Sequence, residues 1–279
     1  MTLVLLGILF ILMVLIGGNR GLDSFLALIR TVFALGLNIY LIAWGVPPVP
    51  ATFVVSIFFI ITVLYFQNGR NAKMHAAAIS VIVVLLFIFI TAGPVLWAAG
   101  SSGYNEIEQY EEISMYLSAD LEISMSAVSL SAVVLGLLGA VMDTAVAITT
   151  AVNEVYVNNP GMTGKQLFLS GLSVGRDILG TTVNTLFFAG LGESIMLAVL
   201  FMKNEDSFAT ILNSKALFQE VSGLLIGATG CLLIIPLSSL ICASFLTFSE
   251  EKMPDNQRLL QKCYKYFVFL LKNVKNVLK

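Results

Sequence analysis

The chain has 279 residues, of which 58% are hydrophobic and only 11% charged, with a formal net charge of -2. A soluble globular chain is about 45–50% apolar and about 25% charged, so a water-soluble fold of this sequence would leave large apolar patches uncovered. The composition excludes most soluble enzymes and nucleic-acid binders and points to the lipid bilayer as solvent. The near-neutral charge gives no sign of a polyanionic partner.

In chain order, seven segments are apolar enough to cross a bilayer, which takes about 20 residues of helix. They run over 2–18, 24–45, 51–66, 76–99, 124–148, 179–202 and 222–248. This predicts an all-α, polytopic membrane protein of about seven transmembrane helices. The first segment, Thr2–Gly18, is expected to be a retained membrane helix: no Lys or Arg precedes Arg20, and no small-residue cleavage site follows it. The run Val46-Pro47-Pro48-Val49-Pro50 breaks the helix between the second and third spans, because proline removes a donor and clashes with the preceding turn. Pro94 and Pro236 sit inside spans four and seven. Trp44, Trp97 and Tyr104 lie near span ends, where interfacial aromatic anchors belong.

Thirteen of the fifteen basic residues fall in alternate loops and the tail; Lys203 and Lys215 are the exceptions. The positive-inside rule then puts the N-terminus outside and the C-terminus in the cytoplasm. Residues 1–248 form a seven-helix transmembrane domain and 249–279 a basic cytoplasmic tail. In that tail Leu260, Tyr264, Phe267 and Leu271 recur at helical spacing with lysines between them. The pattern suits an amphipathic helix on the inner leaflet, where each lysine gains about 1 kcal/mol from anionic lipid, or a helix that binds a partner. The outer loop 100–123 carries Glu106, Glu108, Glu111, Glu112, Asp120 and Glu122 and no basic residue. It reads as a solvated acidic loop or as one that draws cations to an entrance.

The sequence holds no P-loop and no H-E-x-x-H, and no complete catalytic set stands out in it. Asp177, at the membrane edge, is the one partner Asp143 has for an aspartyl pair. Cys231, Cys242 and Cys263 form no C-x-x-C, and His75 is the single histidine, so neither a disulfide framework nor a metal site is expected. The reading is therefore not of an enzyme, and it calls for no cofactor.

The informative residues lie in spans five and six. Asp143 sits deep in span five, where an aspartate costs roughly 2.5–3.5 kcal/mol on insertion scales and usually faces a bundle or a cavity. Asp143, Ala147, Thr150 and Glu154 are spaced 4, 3 and 4 and share one helix face, since eleven residues turn through about 1,100°. In span six Asp177, Thr181 and Asn184 share a face, with Arg176 beside them at the cytoplasmic mouth; Glu193 points the opposite way, near the outer interface. The two polar stripes suit a shared cavity that holds an ion or proton, or equally a set of interhelical bonds, with Arg176 pairing to Asp143 or Glu154. Ala132, Gly136 and Ala140 in span five, and Gly223 and Gly227 in span seven, recur every fourth residue as helix-packing faces do in lipid.

Two stretches carry a family resemblance. One is Leu138-Gly139-Ala140-Val141-Met142-Asp143 leading to Asn153-Glu154. The other is Ser170-Gly171 followed by Gly175-Arg176-Asp177-Ile178-Leu179-Gly180-Thr181-Thr182-Val183-Asn184-Thr185-Leu186. With Gly17-Gly18-Asn19-Arg20-Gly21 after the first span, they resemble the YibE/F-like integral membrane proteins of Gram-positive bacteria, over about residues 1–248. That family commonly has Gly-Arg-Lys-Gly where this chain has Gly-Asn-Arg-Gly. The resemblance implies a multi-pass plasma-membrane protein that works beside a paired, larger YibE-like subunit, this chain being the smaller, YibF-like member. It carries no settled activity. The expectation is a permease or transport-complex subunit moving a small ion or solute: Asp143 binds the cation or proton, Glu154 relays it, Arg176 and Asp177 shape the inner mouth, and Thr150, Thr181 and Asn184 line the path. The alternative is a non-transporting scaffold that assembles with a partner subunit. A homo-oligomer stays open.

Overall fold

The computed structural model describes residues 1–98, 105, 124–159, 161–204 and 207–248. The described residues are helical throughout, apart from turns and short connections, and contain no strand. The acidic loop, apart from Asn105, and the basic tail from 249 onward lie outside the described residues, as does the Tyr104 anchor. The chain divides into two compact units, Met1–Leu246 and Thr247–Lys279.

Helix α1 (Thr2–Gly17) is apolar from its first turn and ends at Gly18, which takes φ +54 and donates its N–H to the Val14 carbonyl. The chain re-enters helix at once as α2 (Asn19–Ala43). A Cβ on Gly21 would overlap the carbonyl of Met13, so glycine is what lets α1 and α2 approach at this point. The turn after α2 runs through Gly45 at φ +87 to Pro47, and Pro48 opens α3 (Pro48–Ile61). Proline suits the first helical position, where its missing N–H has no partner to lose. The expected break over 46–50 is thus a connection of four residues, 44–47, and the third span starts earlier than 51. It continues past Ile61 as a π-helical turn, Thr62–Gln67. That turn is tied to α2: Gln67 Nε2 donates to Ser24 Oγ at 2.9 Å, and the Arg30 guanidinium lies 4.9 Å from the Phe66 ring centre.

Helix α4 (Ala72–Ala98) runs on through Pro94. Helix α5 (Met125–Asn158) starts at Ser124, whose hydroxyl accepts from the Ala127 N–H. Helix α6 (Gly164–Glu193) starts in a capping box, with Thr163 and Gln166 satisfying each other's backbone N–H. It bends by 43° into the short α7 (Ile195–Lys203). A single-turn α8 (Phe208–Leu212) leads to α9 (Lys215–Phe248), which runs on through Pro236.

Five of these helices are long and apolar enough to cross a membrane: α2, α3 with its π-turn, α4, α5 and α9. The bent pair α6–α7 makes a sixth if it is one span, and α1 is a shorter apolar helix. Hydropathy alone predicts seven spans because it marks where side chains are apolar and not where the backbone stops being helical. Helix α5 is 34 residues long, about 51 Å at 1.5 Å per residue, against a hydrocarbon core of about 30 Å. What reads from hydropathy as a loop over 149–178 is the end of α5, a short turn around Gly161 (φ +95), and the first half of α6.

The core is built where α3, α4, α5 and α9 meet. Ile60 and Leu64 of the third span, Val81 and Leu85 of α4, Val134 and Leu138 of α5, and Ile234 of α9 are all essentially inaccessible. Hydroxyls are admitted to this core by back-bonding. Ser80, Ser131, Thr144, Thr149, Ser238 and Ser239 each donate to the carbonyl four residues earlier at 2.7–2.8 Å. This satisfies the hydroxyl within its own helix where no water is present.

Candidate functional site

The two long faces of α5 differ in composition. One face is buried, with Val134, Leu138, Val141, Ala145 and Ile148 packed into the core. The other carries Ala132, Gly136, Gly139, Asp143, Ala147 and Glu154, all exposed, with Thr150 half-buried among them. The spacing 4, 3, 4, 4, 3, 4 keeps these seven on one stripe of the helix. A methyl added at Gly136 or Gly139 would meet nothing within 4 Å. The stripe predicted from Asp143 to Glu154 is therefore present and extends toward the start of the helix; from Gly139 to Glu154 it is covered by no other described part of this chain, while Ala132 and Gly136 face a cleft.

That face is unlike one made for lipid. Where α2 and α4 are exposed they show Val32, Phe33, Ile39, Phe87 and Ile90, side chains at home among acyl chains. The α5 stripe shows small side chains and two carboxylates instead. Asp143 stands near the middle of the 34 residues, inside the apolar run 124–148, where a charged group facing lipid is costly.

On α6 the structure places Arg176, Asp177, Thr181 and Asn184 on an exposed face as well. Thr181 Oγ1 donates to the Ile178 carbonyl at 2.8 Å, and Thr185 to the Thr181 carbonyl at 2.8 Å. Among the described residues Arg176 makes no ion pair with Asp143 or Glu154. The opposite face of α6 explains this orientation. A Cβ on Gly171 would lie 2.6 Å from Ser239 Oγ and 2.7 Å from Val152 Cγ2; one on Gly175 would overlap Ile235, and one on Gly190 would overlap Leu224. Glycine turns the α6 backbone onto α9, and the polar residues are left pointing away.

The small residues read as packing faces divide into two groups. Ala140 packs against the core. Ala132, Gly136, Gly223 and Gly227 instead line a cleft of about 550 Å³ between the first half of α5, the last turns of α6 and the first half of α9. A Cβ on Gly223 would stand 3.8 Å from Val133, and one on Gly227 3.7 Å from Leu137, which is ordinary contact. The G-x-x-x-G that needs its glycines is Gly171 and Gly175. That spacing is visible in the sequence, but the structure shows which pair meets another helix closely. None of Asp143, Thr150, Glu154, Arg176, Asp177, Thr181 and Asn184 lines the cleft.

Comparison with known families settles the kinship. The family model described as YibE/F-like protein matches residues 5–248. The chain belongs to that family. The match takes in α1 to α9, so the α5 stripe, the α6 glycines and the cleft of this YibE/F-like protein all lie within it. Comparison with curated proteins and with solved structures returns no significant match. The expectation of a multispan, all-helical membrane protein of this family stands.

One polar group escaped the sequence reading. Asn38 on α2 and Thr52 and Ser56 on α3 are buried together among the apolar side chains of two membrane helices. Asn38 Nδ2 donates to Thr52 Oγ1 at 3.2 Å, and Asn38 Oδ1 and Ser56 Oγ have no partner among the described residues. The sequence signal was an asparagine within a run of apolar residues. It clasps the α2–α3 hairpin, since a polar side chain facing another across a helix pair is bonded more favourably there than in lipid.

Proposed function

We propose that this YibE/F-like protein is a subunit of a membrane transport complex that moves a small cation or proton along the uncovered face of α5. The observation that carries this reading is Asp143: a carboxylate inside a helix long and apolar enough to cross a membrane, on a face that the described residues leave open. Such a residue needs a counter-charge, a proton or water, and a path between subunits supplies all three. In this reading a second subunit, a larger YibE-like protein, closes over the stripe. Asp143 holds the cation or proton, Thr150 and Glu154 pass it toward the cytoplasm, and Arg176 and Asp177 set the charge at the inner mouth, with Thr181 and Asn184 along α6. The basic loops orient the chain N-terminus outside, in the plasma membrane. The chain does no covalent chemistry and needs no cofactor.

The test is flux into proteoliposomes holding the purified chain, alone and with its partner, scanned over monovalent cations and proton gradients. Asp143→Asn is expected to abolish a flux that the wild type supports. Undiminished flux in that variant overturns the role of Asp143.

A second reading has its own observation. Gly136 and Gly139 open onto empty space, and such a surface also fits a partner helix that is held without any transport. Enlarging Ala132, Gly136 and Gly139 to Leu separates the two. Loss of assembly, from a pair that shows no flux in any condition, favours the scaffold.

A further inference from the structure

The cleft between α5, α6 and α9 has a polarity gradient of its own. Its mouth is made where three helices begin or end: Glu193 closes α6, Gln219 and Glu220 stand in the first turns of α9, and Asn105 joins from the preceding loop. Asn105 Nδ2 donates to Gln219 Oε1 at 3.1 Å, which ties that loop residue to α9 at the rim. Ser194 Oγ donates to Glu220 Oε2 at 3.4 Å. Below the rim the lining turns apolar, with Leu137, Leu186 and Leu224. From Met125 at the mouth to Leu137 is about 18 Å of helix.

The space exists because side chains are missing from its walls. Gly136 opens onto the cleft with nothing near its Cβ position, and Gly223 and Gly227 face it from α9. Its volume, about 550 Å³, falls in the range of small-molecule sites, and an apolar interior with a few polar groups at one end is how such sites are built. The described lining holds two carboxylates, carboxamide and hydroxyl groups, and no Lys or Arg. The nearest basic residue along the chain, Lys215, opens α9 one turn before Gln219.

We infer that this cleft is a binding site for an organic cation with an apolar body, the body seated against Leu137, Leu186 and Leu224 and the charge held at the mouth by Glu193 and Glu220. An anion would meet two carboxylates, and a small hydrated metal ion would leave the apolar interior unfilled. The site does not rest on Asp143, and a ligand held here need not be the species moved along α5.

The probe is tetraphenylphosphonium, with tetraphenylborate as a match of the same shape and opposite charge. Binding of each to the full chain in nanodiscs of zwitterionic lipid is measured against empty nanodiscs. Wild-type protein is expected to bind the cation saturably and the anion not at all. Replacing both carboxylates, Glu193→Gln with Glu220→Gln, is expected to weaken the cation by about tenfold or more. Gly136→Leu is expected to abolish binding by filling the cleft, and because it grows into open space it should leave the melting temperature unchanged. If the double variant does not fold, each single variant should still weaken binding. The inference is overturned if the wild type shows no saturable binding of the cation, if the anion binds as well, or if folded glutamine variants bind as the wild type does.

Discussion

The two faces of α5 keep the pattern of a helix in a soluble protein, apolar where covered and polar where open. The covered face is branched and apolar and meets the core closely: a Cβ placed on Gly230 of α9 would stand 3.1 Å from Ile88 and 3.2 Å from Val141. The uncovered face is small and acidic. In water that would be the ordinary outside of a helix. In lipid it is not, because acyl chains hydrate nothing and a carboxylate there needs a partner. The difference teaches that the covered face accounts for the packing of the described residues, whereas the open face contributes little to it.

Substitutions can break or sharpen this contrast. The largest effect is expected from Val141→Asp, which moves the charge from one face to the other. Burying a carboxylate between Ile88 and Gly230 should cost about 3 kcal/mol or more, seen as loss of a monodisperse peak and of a cooperative melt in detergent. A folded Val141→Asp protein would mean the two faces are not so different. Next comes the α6 contact. Gly175→Ala drives a methyl into Ile235 and should destabilise by about 1–3 kcal/mol. Gly223→Ala, with ordinary contact distance to Val133, should leave the melting temperature unchanged or raise it, since alanine is the better helix former. Equal effects at both glycines would refute the assignment of the close contact to α6. The smallest effect on the isolated chain is expected at Asp143. Asp143→Asn should change stability by less than about 0.5 kcal/mol, because no described residue pairs with it, while the flux of the assembled complex is lost. A large destabilisation of the isolated chain would show that Asp143 works for the fold.

Much of this was legible in the residues. Asp143, Ala147, Thr150 and Glu154 must share a face in any α-helix, and the structure keeps them on one. The proline turn between α2 and α3 was legible for the same local reason. The length of α5 and α6 was not read correctly, although Thr163 and Gln166 spell a capping box; hydropathy stops at the end of the apolar run, while a helix continues for as long as its backbone bonds are made. The direction in which the α6 stripe faces was not legible. Which way α6 turns depends on Gly171 and Gly175 meeting Ser239 and Ile235, residues more than fifty positions away.

The sequence by itself determined the solvent, the helical class, the family and the faces on which the polar residues lie, because these follow from composition and from the 3.6-residue period of a single helix. Only the tertiary structure decided which of two glycine pairs lets helices touch, that the described residues leave the α5 stripe open, and that the cleft lies at the far end of α5 from Glu154. Those depend on side chains from different helices competing for the same volume, and no one helix carries that information.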